Sequence, residues 1–205
     1  MKKFKKLWFL LISISVLGGV APVSSQASSF DNQGVSLSIY DDQMIESEVL
    51  TYNDLIQEVM KNEKLTEAEA KEFIGISEQR SVAKATYRTY SYQVTVTAGY
   101  KPKVVFYCET SEGGNFRGIV SVLNSSLNRE YSGISKQFSG TLYTNLESAA
   151  SIYFELNGDF YNNGTTTVSG GAQIGVGEKS NVNFSVSYAS NHFKYCYQTG
   201  RYTLR

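Results

Sequence analysis

Four kinds of side chain in this sequence could do chemistry: two cysteines, one histidine, carboxylates close enough along the chain to work in pairs, and many tyrosines. Cys108 and Cys196 are the only cysteines. In an oxidising compartment an isolated even pair reads as a disulfide. That bridge would close a loop of 89 residues, Cys108 through Cys196, and would contribute about 4–5 kcal/mol in the chain-entropy treatment. Two cysteines and the single histidine, His192, are too few ligands for a structural zinc site, so no metal and no cofactor is expected. No Gly-x-Ser-x-Gly elbow accompanies His192, which reads as an exposed or hydrogen-bonded turn residue rather than a general base. Glu155 with Asp159, and Glu109 with Glu112, are the carboxylate pairs on which a glycosidase could draw, since it needs two carboxyls about 5–9 Å apart. The run Gly170-Gly171-Ala172-Gln173-Ile174-Gly175 lies between strands, not ahead of a helix, and phosphate-loop, calcium-loop and His-Glu-x-x-His signatures are absent from the sequence. No catalytic residue is assigned.

The tyrosines point elsewhere. Thirteen of the 15 fall between residues 81 and 205. Where a strand runs Tyr-x-Tyr, as at Tyr90/Tyr92 and Tyr195/Tyr197, both rings share one face. Tyrosine supplies rigid, amphipathic contact area, so these pairs are candidate binding residues for a glycan or a protein at the cell surface. The structural alternative is that tyrosine simply fills strands well.

The elements that must position these residues fall into three parts. Residues 1–27 read as a secretory signal peptide: Lys2, Lys3, Lys5 and Lys6 form the basic start, Leu7 to Leu17 the apolar stretch, and Ser25-Gln26-Ala27 the small-x-small cleavage site. Cleavage after Ala27 predicts a secreted, extracellular protein. Residues 28–80 form an acidic lead-in and helical hairpin. There Thr51 or Asn53 caps a helix carrying Leu55, Ile56, Val59 and Met60, Thr66 with Glu69 makes a capping box for a second helix, and Gly75 stops it. Val35 to Tyr40 forms one short alternating run. From about Thr86 the hydrophobic period becomes two, in short Val-, Thr-, Tyr- and Phe-rich runs. Turn clusters separate them, among them Ser111 to Asn115, Asn157-Gly158-Asp159, Asn162-Asn163-Gly164 and Gly177 to Asn181. The expected fold is mainly β, an antiparallel β-sandwich or small barrel of about eight strands spanning 81–205.

Charge divides along the same boundaries. The whole chain is formally neutral, but residues 28–80 hold 12 acidic and 4 basic side chains, and residues 81–205 hold 7 acidic and 11 basic. The two mature parts are electrically complementary; an acidic run of this kind ordinarily reads as a solvated face, and docking of the helical segment on the β-region is the alternative. With the basic excess spread along the chain, nucleic-acid binding is not expected.

One further stretch has two readings. In Thr165 to Ala189, Val168, Ala172, Ile174 and Val176, then Val182, Phe184, Val186 and Tyr188, line one face opposite Ser, Thr, Asn and Gly. A sheet hairpin with one face on the core gives this alternation, and so does a membrane-inserting hairpin of a toxin-like protein.

The segment from Tyr87 to Tyr202 carries Tyr100-Lys101-Pro102-Lys103, Phe106-Tyr107-Cys108, Lys136-Gln137-Phe138-Ser139-Gly140, Asn157 to Thr167 and Asn183-Phe184-Ser185-Val186-Ser187. In these it resembles small secreted β-rich domains of unknown function from Gram-positive bacteria. The helix from Glu58 to Phe73 is similar to the leader region of such proteins. The resemblance implies an exported β-protein and supplies no catalytic residues. The sequence therefore reads as a secreted, non-enzymatic binding or interaction module, with a membrane-active β-protein and a carbohydrate-active enzyme as the alternatives.

Overall fold

The computed structural model describes residues 44–76, 85–114 and 116–204. The leader, its cleavage site and the Val35–Tyr40 run lie outside the described residues.

Both helices form from their caps. Helix α1 (Tyr52–Glu63) starts at Thr51, whose hydroxyl accepts the Asp54 N–H while the Asp54 carboxylate accepts the Thr51 N–H. Helix α2 (Glu67–Ile74) repeats the device with Thr66 and Glu69, then ends at Gly75, which takes the left-handed φ of +71°. A three-residue strand that periodicity did not reveal, β1 (Met44–Glu46), precedes them.

Strands β2 (Thr86–Gln93), β3 (Lys103–Gly113) and β4 (Phe116–Asn128) form the centre of the first antiparallel sheet. Its order is β1-β2-β3-β4-β9, where β9 is Ile174–Gly175. A two-strand ribbon, β5 (Glu130–Tyr131) with β6 (Ile134–Ser135), leads into the second sheet of β7 (Gln137–Ser148), β8 (Ser151–Gly170) and β10 (Lys179–Thr203).

Each of β7, β8 and β10 pairs with the other two, yet the ring is not a barrel, because the contacts fall on different halves of the long strands. Lys179–Phe184 pair with one edge of β7, and Val182–Ser187 with the end of β8. Lys194–Thr203 pair with Ser151–Phe160, which hold the other edge of β7. The sheet therefore runs second half of β8, first half of β10, β7, first half of β8, second half of β10. Both long strands bend at one level: Gly164 has φ +129°, and two register shifts between Ser187 and Lys194 bracket Tyr188 and Asn191 at φ +55° and +54°.

The two sheets pack face to face. Tyr90, Tyr92, Val104, Phe106 and Ile119 from the first meet Phe138, Leu142, Phe154, Phe160 and Phe184 from the second. The opposite face of the first sheet is also covered: Tyr87, Val105, Tyr107 and Leu123 pack against Leu55, Ile56, Val59 and Ile74 of the helices. A middle layer buried on both sides explains the unbroken buried run Val104 to Cys108.

Two expectations change. Asn157-Gly158-Asp159 and Asn162-Asn163-Gly164 are not turns between strands; they lie within β8. Gly158 pairs with Gly140 across the sheet, and a Cβ on Gly158 would sit 2.3 Å from the Ser139 carbonyl oxygen and 2.7 Å from the Phe138 ring. The glycines make room for that ring. The 165–189 alternation is also not one hairpin face: Ile174 leaves to pair with β4, Val182 and Phe184 enter the core, and Val168 and Val176 are exposed.

Candidate functional site

The two Tyr-x-Tyr pairs have opposite fates. Tyr90 and Tyr92 are 0% and 4% exposed, inside the core between the sheets, so they cannot meet a ligand. Strand β2 has the second sheet on one face and the helices on the other, so neither of its faces is free. The Tyr90 hydroxyl has no hydrogen-bond partner among the described residues, and burial pushes its pKa up. Tyr195 and Tyr197 stand on the uncovered outer face of the second sheet, 53% and 56% exposed. As neighbours at i and i+2 they sit about 6.7 Å apart along the strand.

Cross-strand register builds the surface around them. One row runs Ser169, Asn183, Thr141, Asn157, Tyr197, and the next includes Asn181, Tyr143, Glu155, Thr199. Beyond these lie Ser139, Asp159 and Tyr195 on one side and Asn145, Tyr153 and Arg201 on the other. The tyrosine hydroxyls are tethered diagonally: Tyr195 donates to Asn157 Oδ1 at 3.0 Å and Tyr197 to Glu155 Oε2 at 3.2 Å. The hydrogen bond to Glu155 raises the pKa of the Tyr197 phenol and keeps it a donor. Arg201 lies over the Tyr153 ring, 5.4 Å from its centroid, and holds Glu147 through two N–H groups, lowering that carboxyl's pKa. The surface is thus tyrosine rings held by hydrogen bonds among Asn, Ser and Thr side chains, with Glu155, Asp159 and Arg201 set between them. No protein-family model matches the chain, and no curated protein or solved structure matches it either.

The other sequence candidates go elsewhere. Cys108 and Cys196 both reach the same core, but they are two buried free thiols rather than the expected disulfide. They belong to facing sheets, whose backbones ordinarily lie about 10 Å apart, whereas a disulfide needs Cα atoms within about 7 Å. Each fills the core as a small apolar side chain. His192 is exposed, its Nε2 2.7 Å from Asp159 Oδ1 and its ring edge-on to Tyr161. Glu155 and Asp159 share the outer face four residues apart, about 13 Å along the strand, beyond the separation a glycosidase uses. Glu109 and Glu112 differ in parity on β3 and point to opposite faces, with Glu112 bound by Arg88. Among the described residues no group of three or more His, Cys, Asp and Glu side chains is placed to hold a metal, and no helix is long and apolar enough to cross a membrane.

The polar rows beside Tyr195 and Tyr197 escaped sequence reading. Their signal was the outward parity of Thr141, Asn157, Asn181 and Asn183, which becomes meaningful once the pairing of the strands is known.

Proposed function

We propose that this chain is an exported, non-enzymatic module that binds glycans on the outer face of its second sheet. The observation carrying this reading is the exposed Tyr195/Tyr197 pair, both rings on one face and both hydroxyls tethered to neighbours. Rings already held lose little conformational freedom when a ligand packs on them. A sugar offers apolar C–H patches for the ring faces and hydroxyls for side chains such as Asn157, Asn183 and Thr141. The Asn, Ser and Thr side chains of the rows, with the Glu155 and Asp159 carboxylates between them, supply donors and acceptors for sugar hydroxyls. The leader-like residues 1–27 and the resemblance to secreted β-domains support export.

The test is to express the full chain in a Gram-positive host, recover the protein from the medium, and screen it on a glycan array beside Tyr195→Ala/Tyr197→Ala. Recovered protein should begin at Ser28, bind a defined glycan set, and lose at least tenfold in affinity in the double variant. A protein retained in the cells ends the export reading. A double variant that binds as the parent does, or a parent that binds no glycan, ends the glycan reading.

A further inference from the structure

A second feature lies apart from the tyrosine face. Between the helices, β4, the end of β8 and the start of β10 is a cavity of about 340 Å³, within the size range of small-ligand sites. Leu65, Phe73, Val182 and Phe184 give it apolar walls, and Glu63 and Arg129 give it two charges.

Neither charged group has exhausted its bonding. Glu63, the last residue of α1, accepts the Tyr107 and Ser126 hydroxyls, both on Oε1. Its Oε2 accepts no hydrogen bond among the described residues. Arg129 donates from Nη1 alone, to the Lys136 carbonyl, Gln137 Oε1 and Thr166 Oγ1 at 3.1, 2.9 and 2.8 Å. Its Nε and Nη2 have no acceptor among the described residues. The two groups feel one another: burial pushes the Glu63 carboxyl up, and the two hydroxyls and the Arg129 charge pull it partly back. They are nonetheless not an ion pair, with no nitrogen-to-oxygen approach within 4.0 Å.

This arrangement discriminates among ligands. A simple anion would sit against Glu63 and a simple cation against Arg129, while a wholly apolar molecule would leave both groups desolvated and unmatched. A zwitterion meets both, with charge-assisted hydrogen bonds at each end. We propose that the cavity binds an α-amino acid with an apolar side chain, its carboxylate on Arg129, its ammonium on Glu63 and its side chain among Leu65, Phe73, Val182 and Phe184.

Calorimetric titration of the full chain with L-leucine and L-phenylalanine, beside their N-acetyl and amide derivatives and glycine, tests this. Saturable one-to-one binding of the free apolar amino acids is expected, with at least a tenfold loss when either end is blocked or the side chain is absent. Glu63→Gln keeps an oxygen for Tyr107 and Ser126, so it should weaken the free amino acids about tenfold and leave the N-acetyl forms unchanged. Val168→Trp, filling the cavity from its exposed rim, should remove binding while melting temperature is kept. The proposal fails if neither free amino acid binds saturably, if blocked forms bind equally well, or if Glu63→Gln leaves binding of the free forms unchanged.

Discussion

A thiol surrounded by apolar side chains is a poor acid, because ionising it would place a charge where nothing solvates it. Burial pushes the Cys196 thiol up to about 11 and raises Cys108 well above its ordinary value. Reactivity requires the thiolate, so both should be inert while the protein is folded. Iodoacetamide at pH 8 should label neither residue in the native protein. After denaturation without reductant two thiols per chain should react, and a count of zero would restore the disulfide. The same local reasoning applies to Tyr90, whose hydroxyl is buried without a partner. An orphaned donor of this kind costs about 1–3 kcal/mol, which the surrounding aromatic contacts must offset, including the Tyr202 ring at 4.6 Å.

At the scale of elements, the Gly140–Gly158 pair decides how β7 and β8 meet the core. Phe138 packs tilted against Phe160 and edge-on to Phe184, at 4.7 and 5.3 Å between centroids. Its ring lies over the two glycines, occupying the space that Cβ atoms would take. Gly158→Ala should therefore destabilise the protein by about 2–3 kcal/mol, since the nearest obstacle is a backbone carbonyl that cannot rotate away. For a domain of this size that is a fall of roughly 4–12 °C in melting temperature. Gly113→Ala is the control: nothing lies within 4 Å of its Cβ position, and the change should stay within about 0.5 kcal/mol. Thermal denaturation of the two variants compares them. A glycine beside an asparagine suggests a turn in the sequence, and here it marks close approach of a ring within a continuous strand.

Across the whole molecule, the acidic segment is joined to the β-region through both packing and charge. Glu46 of β1 lies in an ion pair with Arg88 at 2.7 Å and accepts from Arg117 at 2.6 Å, both from the first sheet, and its other oxygen accepts the Tyr202 hydroxyl of the second sheet at 2.8 Å. Arg88 also holds Glu112. The group is mostly buried, with side-chain exposures of 12% for Arg88 and 22% for Glu46, so removing the shared carboxylate leaves Arg117 without its acidic partner and Arg88 with Glu112 alone. Glu46→Ala should cost about 2–4 kcal/mol, seen as a lower urea midpoint with unchanged m-value. A change within about 0.5 kcal/mol would show that the Glu46 cluster contributes little to holding β1 on the sheets.

Much of this protein was legible in its residues. The cap at Thr66 and the stop at Gly75 are local, needing only three or four neighbours, so they read directly; at the first helix the sequence offers Thr51 or Asn53, and the structure uses Thr51. The change of period at about Thr86 marks where the continuous β-region begins, because alternation follows from the pleat alone. The charge partition between residues 28–80 and 81–205 anticipates the Glu46–Arg88–Arg117 contact, although not its partners. What alternation cannot carry is which face of a strand is covered. Tyr90/Tyr92 and Tyr195/Tyr197 have the same spacing, and each pair puts its two rings on one side. One lies in a middle layer between helices and a second sheet; the other lies on an outer layer with nothing over it. That difference arises from how strands distant in sequence pair and stack, as does the cavity bringing Glu63 and Arg129 together. Local patterning carries the helix caps and the onset of the β-region, but not β1 or the length of β8; packing alone decided which tyrosines meet solvent, because burial belongs to the layer and not to the strand.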